Sequence, residues 1–181
     1  RYMGRQQGLM NVPVNLGVEP DFKKPTHYKP LTWQGGIGVP DRDYYLKTED
    51  ERYAKAVAAY RVYLVTLGRL AGLSDPDKAA DDTLAIERKL AEAQWDKVEL
   101  RNPVKLYNPR TLAETAKEAP GMDWAAFFEG AGLKGSQNLS LSQPSAQAGA
   151  AKLLAELPIE QWRHYFKLHL LDTHADTLPK A

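Results

Sequence analysis

The chain has 181 residues, no cysteine, and 24 basic against 23 acidic side chains. That length fits one ordinary domain with a sizeable core, and the lack of cysteine excludes disulfides, thiolate metal sites and cysteine nucleophiles. With a net charge of +1, no block of like charge and no apolar run near the roughly 18 residues of a membrane helix, neither a nucleic-acid partner nor a membrane segment is expected.

The chain begins at Arg1 without a visible signal peptide, so it reads as a mature product or a piece of a longer polypeptide. Residues 1–11 read as the end of a helix. Val12 to Glu19 alternates apolar and polar residues, as a half-buried strand does. Residues 20–25 carry turn chemistry, and Thr26 to Trp33 reads as the returning strand. Pro30 confines that strand to an edge or shortens it.

Three glycines, Gly35, Gly36 and Gly38, then precede Pro40 and the run Asp41-Arg42-Asp43-Tyr44-Tyr45. Before this stretch the chain is extended; after it the pattern is helical almost to the end. The glycines allow close backbone approach, Arg42 can hold a carboxylate through two parallel hydrogen bonds, and the tyrosines suit a boundary.

A helix is expected from Thr48 to Leu70, opened by a Thr48/Glu51 capping box and buried along Tyr53, Val57, Tyr60, Leu64 and Leu67. Asp75-Pro76 starts a second, to Leu100, with a stripe of Leu84, Ala91, Trp95 and Val98. A short turn joins the two, so they lie roughly antiparallel. Asn102-Pro103 and Tyr107-Asn108-Pro109 mark turns, with Asn108-Pro109 capping a third helix to Glu118. Asp123 caps a fourth, Trp124 to Ala131. Residues 138–141 are extended within a loop, and helices follow over 144–157 and from Pro158. The fold class is mainly α: a helical bundle with a small β-hairpin appendage near the amino terminus. The expected division is 1–35 for the hairpin and 36–181 for the helical domain.

The string Gly35-Gly36-Ile37-Gly38-Val39-Pro40-Asp41-Arg42-Asp43-Tyr44-Tyr45-Leu46 resembles a segment of the neprilysin and endothelin-converting-enzyme family of zinc metallopeptidases. Residues 101–113, with Asn102-Pro103, Tyr107-Asn108 and Thr111-Leu112, are similar to a second segment, and residues 162–171 to a third. The resemblance covers nearly the whole chain, but only the amino-terminal, non-catalytic part of such a protein. It implies a parent that hydrolyses peptide bonds with zinc, held by a His-Glu-x-x-His motif in a carboxy-terminal catalytic domain of the same chain. It implies peptide substrates, and a helical region that walls the chamber and limits access, with the hairpin packing against the catalytic part. Animal members have cysteines near the Asp-Tyr-Tyr segment; their absence favours a bacterial member, exported to the periplasm or cell surface.

The zinc motif itself is absent here, so no cofactor is expected in this piece. Glu160 and His164, or His169, Asp172 and His174, have spacings on which a metal can be imagined. The last three histidines fall at steps of five, however, and fan around a helix; ordinary polar positions explain them better. The glycines lack the Lys-Ser/Thr ending of a phosphate loop. Trp33, Trp95, Trp124 and Trp162 read as core anchors rather than a ligand groove. No catalytic or metal residue is assigned. The domain-junction candidates are Gly36, Gly38, Arg42, Asp43, Tyr44, Tyr45, Asn102, Tyr107 and Asn108. The alternative to a piece of a peptidase is a free-standing helical module that binds a ligand or protein without enzymatic activity.

Overall fold

The structure is a computed structural model that describes residues 1–177. It is mainly α, with a small four-stranded sheet. The last four residues of the expected 36–181 domain lie outside the described residues.

A one-turn helix, α1 (Tyr2–Arg5), precedes the hairpin of β1 (Val14–Asp21) and β2 (Lys24–Gln34). The period of two puts Val14 and Leu16 on the core face. Register runs from Val14 opposite Gln34 to Glu19 opposite Lys29, with a bulge between Pro20 and Asp21. The hairpin is not confined to itself. β2 pairs in parallel with β4 (Asn138–Leu141), and β4 pairs antiparallel with β3 (Pro109–Thr111), giving the order β1-β2-β4-β3.

After α2 (Asp43–Leu46) come the two long helices, α3 (Glu51–Leu70) and α4 (Pro76–Ala93). The expected phase of α3 holds, with Leu64, Val65 and Leu67 buried. Its expected start does not. Asp50, with extended backbone, is the N-cap, and its carboxylate accepts from the Arg52 amide at 2.9 Å. Thr48 lies before that turn. The second helix stops at Ala93, not Leu100. Gln94 turns extended so that its side-chain amide reaches the Gly35 carbonyl at 2.8 Å, and the Trp95 amide donates to Gln34 Oε1 at 2.8 Å. Asp96 then accepts from the Val98 and Glu99 amides and opens a separate 3-10 turn, leaving Val98 76% exposed. Trp95 and Val98 therefore belong to no helical stripe.

The third expected helix also moves. Asn102 caps a short α5 (Pro103–Leu106), Pro109 enters β3, and Thr111 caps α6 (Leu112–Glu118) in a full capping box with Glu114. Strand pairing to β4 takes the backbone that an Asn108-Pro109 cap would have used. α7 (Trp124–Gly130) is capped by Asp123 as expected, and α8 (Pro144–Glu156) and α9 (Ile159–Thr173) follow, with a 3-10 turn at Ala175–Thr177.

The largest core cluster takes Val12, Val14 and Leu16 from the hairpin side, Leu139 and Leu141 from β4, and Trp124, Phe127, Phe128, Trp162 and Tyr165 from the helices. Residues on both sides of position 35 thus share one interior. The outer hairpin does not join it: Val18, Phe22 and Tyr28 are exposed. Trp124 and Trp162 are core anchors; Trp33 is 37% exposed, and Trp95 is half-buried with its indole N–H donating to Ser145 Oγ at 2.7 Å.

Candidate domain-junction site

The glycine-rich stretch is held from several sides. The Gly36 amide donates to Asn11 Oδ1 at 2.8 Å, while the Asn11 amide group donates to the Ile37 carbonyl at 2.8 Å. Tyr165 Oη donates to the Gly36 carbonyl at 2.7 Å. Gly36 has φ +84°, and a Cβ there would lie 2.5 Å from Tyr165 Oη and 2.7 Å from Pro13 Cα. Gly38 is closed off in another way, since its added Cβ would meet Tyr60 Oη at 1.9 Å. The two positions therefore need glycine for different reasons, backbone conformation plus crowding at one and crowding alone at the other.

The centre of this region is Glu87 on α4, fully buried. Its Oε2 accepts from the Gly38 amide at 2.5 Å and from Tyr45 Oη at 2.7 Å. Its Oε1 accepts from Tyr60 Oη at 2.9 Å and lies 3.0 Å from His169 Nε2. One carboxyl group thereby joins the loop, α2, α3, α4 and α9. His169 Nδ1 is buried without a partner, which suits the ring carrying its proton on Nε2, because an orphaned lone pair is less costly than an orphaned N–H. Burial, then the charge of Glu87, pushes the Tyr45 and Tyr60 hydroxyls far above their ordinary pKa; Tyr165 moves the same way for the same reasons. All three stay hydrogen-bond donors across the physiological range.

Arg42 does not pair with its neighbours. Its guanidinium donates to the Gln94 carbonyl at the end of α4, and its Nε is buried without a partner. Asp41 instead pairs with Lys97 at 2.5 Å, and Asp43 with Lys47 at 2.7 Å. Burial alone would raise the Asp41 pKa, but the Lys97 ammonium holds it below the usual range. Tyr44 packs on Tyr53 with ring centroids 4.6 Å apart.

The second set of candidates lies at the hairpin. Asn102 Oδ1 accepts from the Val104 and Lys105 amides, so its visible role is capping. The Asn108 side chain donates to the Lys105 carbonyl at 2.6 Å, and its own carbonyl accepts from the Leu141 amide at 2.9 Å. Tyr107 Oη donates to Asp21 Oδ1 at 3.0 Å, its ring meets Phe22 edge-on at 6.3 Å, and Lys23 sits 5.1 Å above it. Lys29 pairs with Asp21 at 2.6 Å. That ammonium, the Lys23 amide and the Tyr107 hydroxyl hold Asp21 well below the ordinary carboxylate range. Arg42 is thus tied to α4 and Tyr107 to the hairpin turn, and no residue among those described bonds both.

Sequence reasoning missed Glu87. Its signal was present: the stripe Leu84, Ala91 skips the helical step that Glu87 occupies, so a carboxylate sits where an apolar side chain is due. The histidines of α9 are likewise answered by α4. His164 Nδ1 lies 2.7 Å from Asp82, whose pKa burial would raise but the His164 and Lys78 hydrogen bonds keep low. No group of three or more potential metal ligands occurs among the described residues.

The fold recurs in known proteins. The model of peptidase family M13, in its amino-terminal part, matches residues 1–181, and the chain belongs to that family. It is 32% identical over 130 residues to mouse endothelin-converting enzyme-like 1, covering 68% of this chain, and 37% identical over 99 residues to rat endothelin-converting enzyme 1, covering 52%. The chain spans only 16% and 13% of those two proteins. Among solved structures it resembles the zinc metalloprotease Zmp1 of Mycobacterium tuberculosis in complex with an inhibitor. The TM-score is 0.90 at 30% identity, covering 99% of this chain and 28% of that one. PepO of Lactobacillus rhamnosis shares the fold, with a TM-score of 0.70 at 16% identity over 94% of this chain and 26% of that one. The neighbours are longer proteases in which the matched region is joined to the remainder of the chain. No helix among the described residues is long and apolar enough to cross a membrane.

Proposed function

We propose that this chain is the non-catalytic helical region of a bacterial, exported zinc metalloendopeptidase, and that it walls the chamber in which the parent cleaves peptides. The reading is carried by the match to Zmp1, which takes in 99% of this chain while leaving most of the longer protein outside it. The zinc and the catalytic glutamate belong to the carboxy-terminal domain of the parent; this region supplies shape and exclusion.

The two candidate sets divide that work. Gly36, Gly38, Tyr45 and Arg42 hold the entry loop rigidly on α4, so the wall keeps its form. Asp43 and Tyr44 extend that clamp toward the start of α3. The outer hairpin, with exposed Phe22 beside Tyr107, and the turn of Asn102 and Asn108, faces the catalytic part. Exposed apolar side chains gathered on one projecting element are what an interdomain contact requires.

The test is made on the full-length polypeptide, with peptides of increasing length and one folded protein as substrates. Cleavage should fall as substrate size exceeds the chamber, and zinc should bind outside residues 1–181. Undiminished cleavage of the folded protein, or tight binding of one zinc per chain by residues 1–181 alone, overturns the reading. A native stop after residue 181 would favour the free-standing binding module.

A further inference from the structure

Helix α3 is apolar on two sides. Its inner side, with Leu64, Val65 and Leu67 buried, meets α2, α4 and α9. On its outer side Ala54, Ala58, Val62, Thr66 and Leu70 are all exposed, Val62 by 64% and Leu70 by 66%. These positions recur every four residues and so form one ridge along the helix. No charge interrupts the ridge over a length of about 24 Å. Its one polar side chain is turned back, since Thr66 Oγ1 donates to the Val62 carbonyl at 2.9 Å.

The neighbouring helices face outward differently. α4 exposes Asp77, Asp81, Lys89 and Glu92, and α9 exposes Glu160, Arg163 and Lys167. The charges of α3 stand near its ends or, like Arg61, pair across to Asp77 and Asp81 of α4. A helix whose outer side meets water carries charge there, whereas one apolar on both sides is a buried helix. The described residues leave the outer side of α3 open, so its pattern calls for a cover they do not provide. Alanines at two ridge positions let a second helix approach closely.

The path of the chain indicates what that cover is. Tyr63, next to Val62 and 39% exposed, donates from its hydroxyl to Asp172 Oδ1 at 2.8 Å. The carboxyl end of α9 therefore lies beside the middle of the ridge, and the turn at Ala175–Thr177 follows directly. The region matched in Zmp1 is 28% of that chain, so such a protein has ample further polypeptide to lay there. We propose that the ridge from Ala54 to Leu70 seats a helix from the part of the parent chain that follows Ala181, packed through an uncharged face of aliphatic side chains. The proposal rests on the reading of this chain as one region of a longer polypeptide, and not on the parent being a peptidase.

The experiment uses the full-length protein. Photo-leucine incorporated during growth places a diazirine at Leu70, and mass spectrometry maps its adducts. The expected adduct joins Leu70 to a residue beyond Ala181 of the same chain. In parallel, Val62→Cys is labelled with a small maleimide, and its rate is divided by the rate in the unfolded protein. It should react at least tenfold more slowly than Lys89→Cys on the charged face of α4, at every protein concentration and without added peptide. Melting curves check that both variants fold; the photo-leucine adduct, which needs no substitution, decides alone should either fail. Adducts of Leu70 only within residues 1–181, to the chain before Arg1 or to another copy overturn the proposal. So does protection of Val62→Cys that is lost on dilution or appears only with a peptide substrate. A parent that cleaves no peptide yet gives the expected adduct loses the peptidase reading and keeps this one. An active peptidase in which Val62→Cys reacts as fast as Lys89→Cys loses this proposal alone.

Discussion

The loop from Gly36 to Tyr45 and the hairpin end around Tyr107 carry similar residues to opposite ends. Both bring tyrosine hydroxyls to a carboxylate. At the loop, Glu87 is fully buried and gathers donors from a loop amide, two tyrosines and a histidine on separate elements. At the hairpin, Asp21 binds Lys29 and Tyr107 beside exposed Phe22, and its neighbours look outward. A buried carboxyl that collects donors fixes a frame, because each donor deprived of it has no water to turn to. The Asp21 carboxyl is also buried, but its donors come from the hairpin and Tyr107 alone, and the residues around it, such as Phe22, stay exposed. The same chemistry therefore serves cohesion in one place and presentation in the other.

The comparison breaks most sharply at Glu87. Glu87→Leu should cost about 3–5 kcal/mol, since two or more buried donors lose their acceptor at about 1–3 kcal/mol each. Urea denaturation reads it as a lower midpoint at unchanged slope. A loss under about 1 kcal/mol would mean that the tyrosines find other partners and that no hub exists.

Leu64→Ala provides the apolar yardstick in the adjoining cluster. Leu64 is 0% exposed and packs with Val65, Ala79, Ala80 and Leu168. A cost of about 2–5 kcal/mol is expected from the same denaturation measurement. If Glu87→Leu costs clearly less than this truncation, packing rather than the polar hub holds α3 to α4.

Arg42→Ala comes next. The guanidinium donates to a neutral carbonyl, so its removal strands no buried acid. The expected loss is about 1.5–3 kcal/mol, the scale of a charged hydrogen bond. The Glu87 frame should survive it, with the melting transition staying cooperative.

The smallest effect lies at the hairpin and shows on acidification. Asp21 is depressed in the folded state, so its contribution is present above the unfolded pKa of about 3.9 and fades as pH falls below it. Lys29→Met removes the leading cause of that depression. The variant should be less stable at neutral pH yet lose less between about pH 4 and 2 than the unaltered chain. Parallel acid curves would mean that the Lys23 amide and Tyr107, not Lys29, hold Asp21.

Much of this was legible in the chain. Alternation along Val12 to Leu16 and the apolar phase of α3 each follow from one local rule, and the structure keeps them. The caps at Asp75 and Asp123 were legible for the same reason: each satisfies an amide three residues away. The density of glycine before Asp41 announced a close approach, and both close approaches exist.

What failed, failed where a distant partner outbid a local preference. Helix α4 stops at Ala93 because Gln94 and Trp95 bond Gly35 and Gln34, some 60 positions back in the chain. Pro109 left its expected helix for a strand once β4 offered it an edge. Arg42 is flanked by two acids, and spacing left a distant carbonyl equally open; it bonds the far end of α4. Glu87 was hidden because a carboxylate within an apolar stripe has no meaning until four other elements bring it donors. Local spacing determined the helices, the hairpin and the turns; only the tertiary structure decided which polar groups would share one buried acceptor, since that depends on chain segments that meet only after folding.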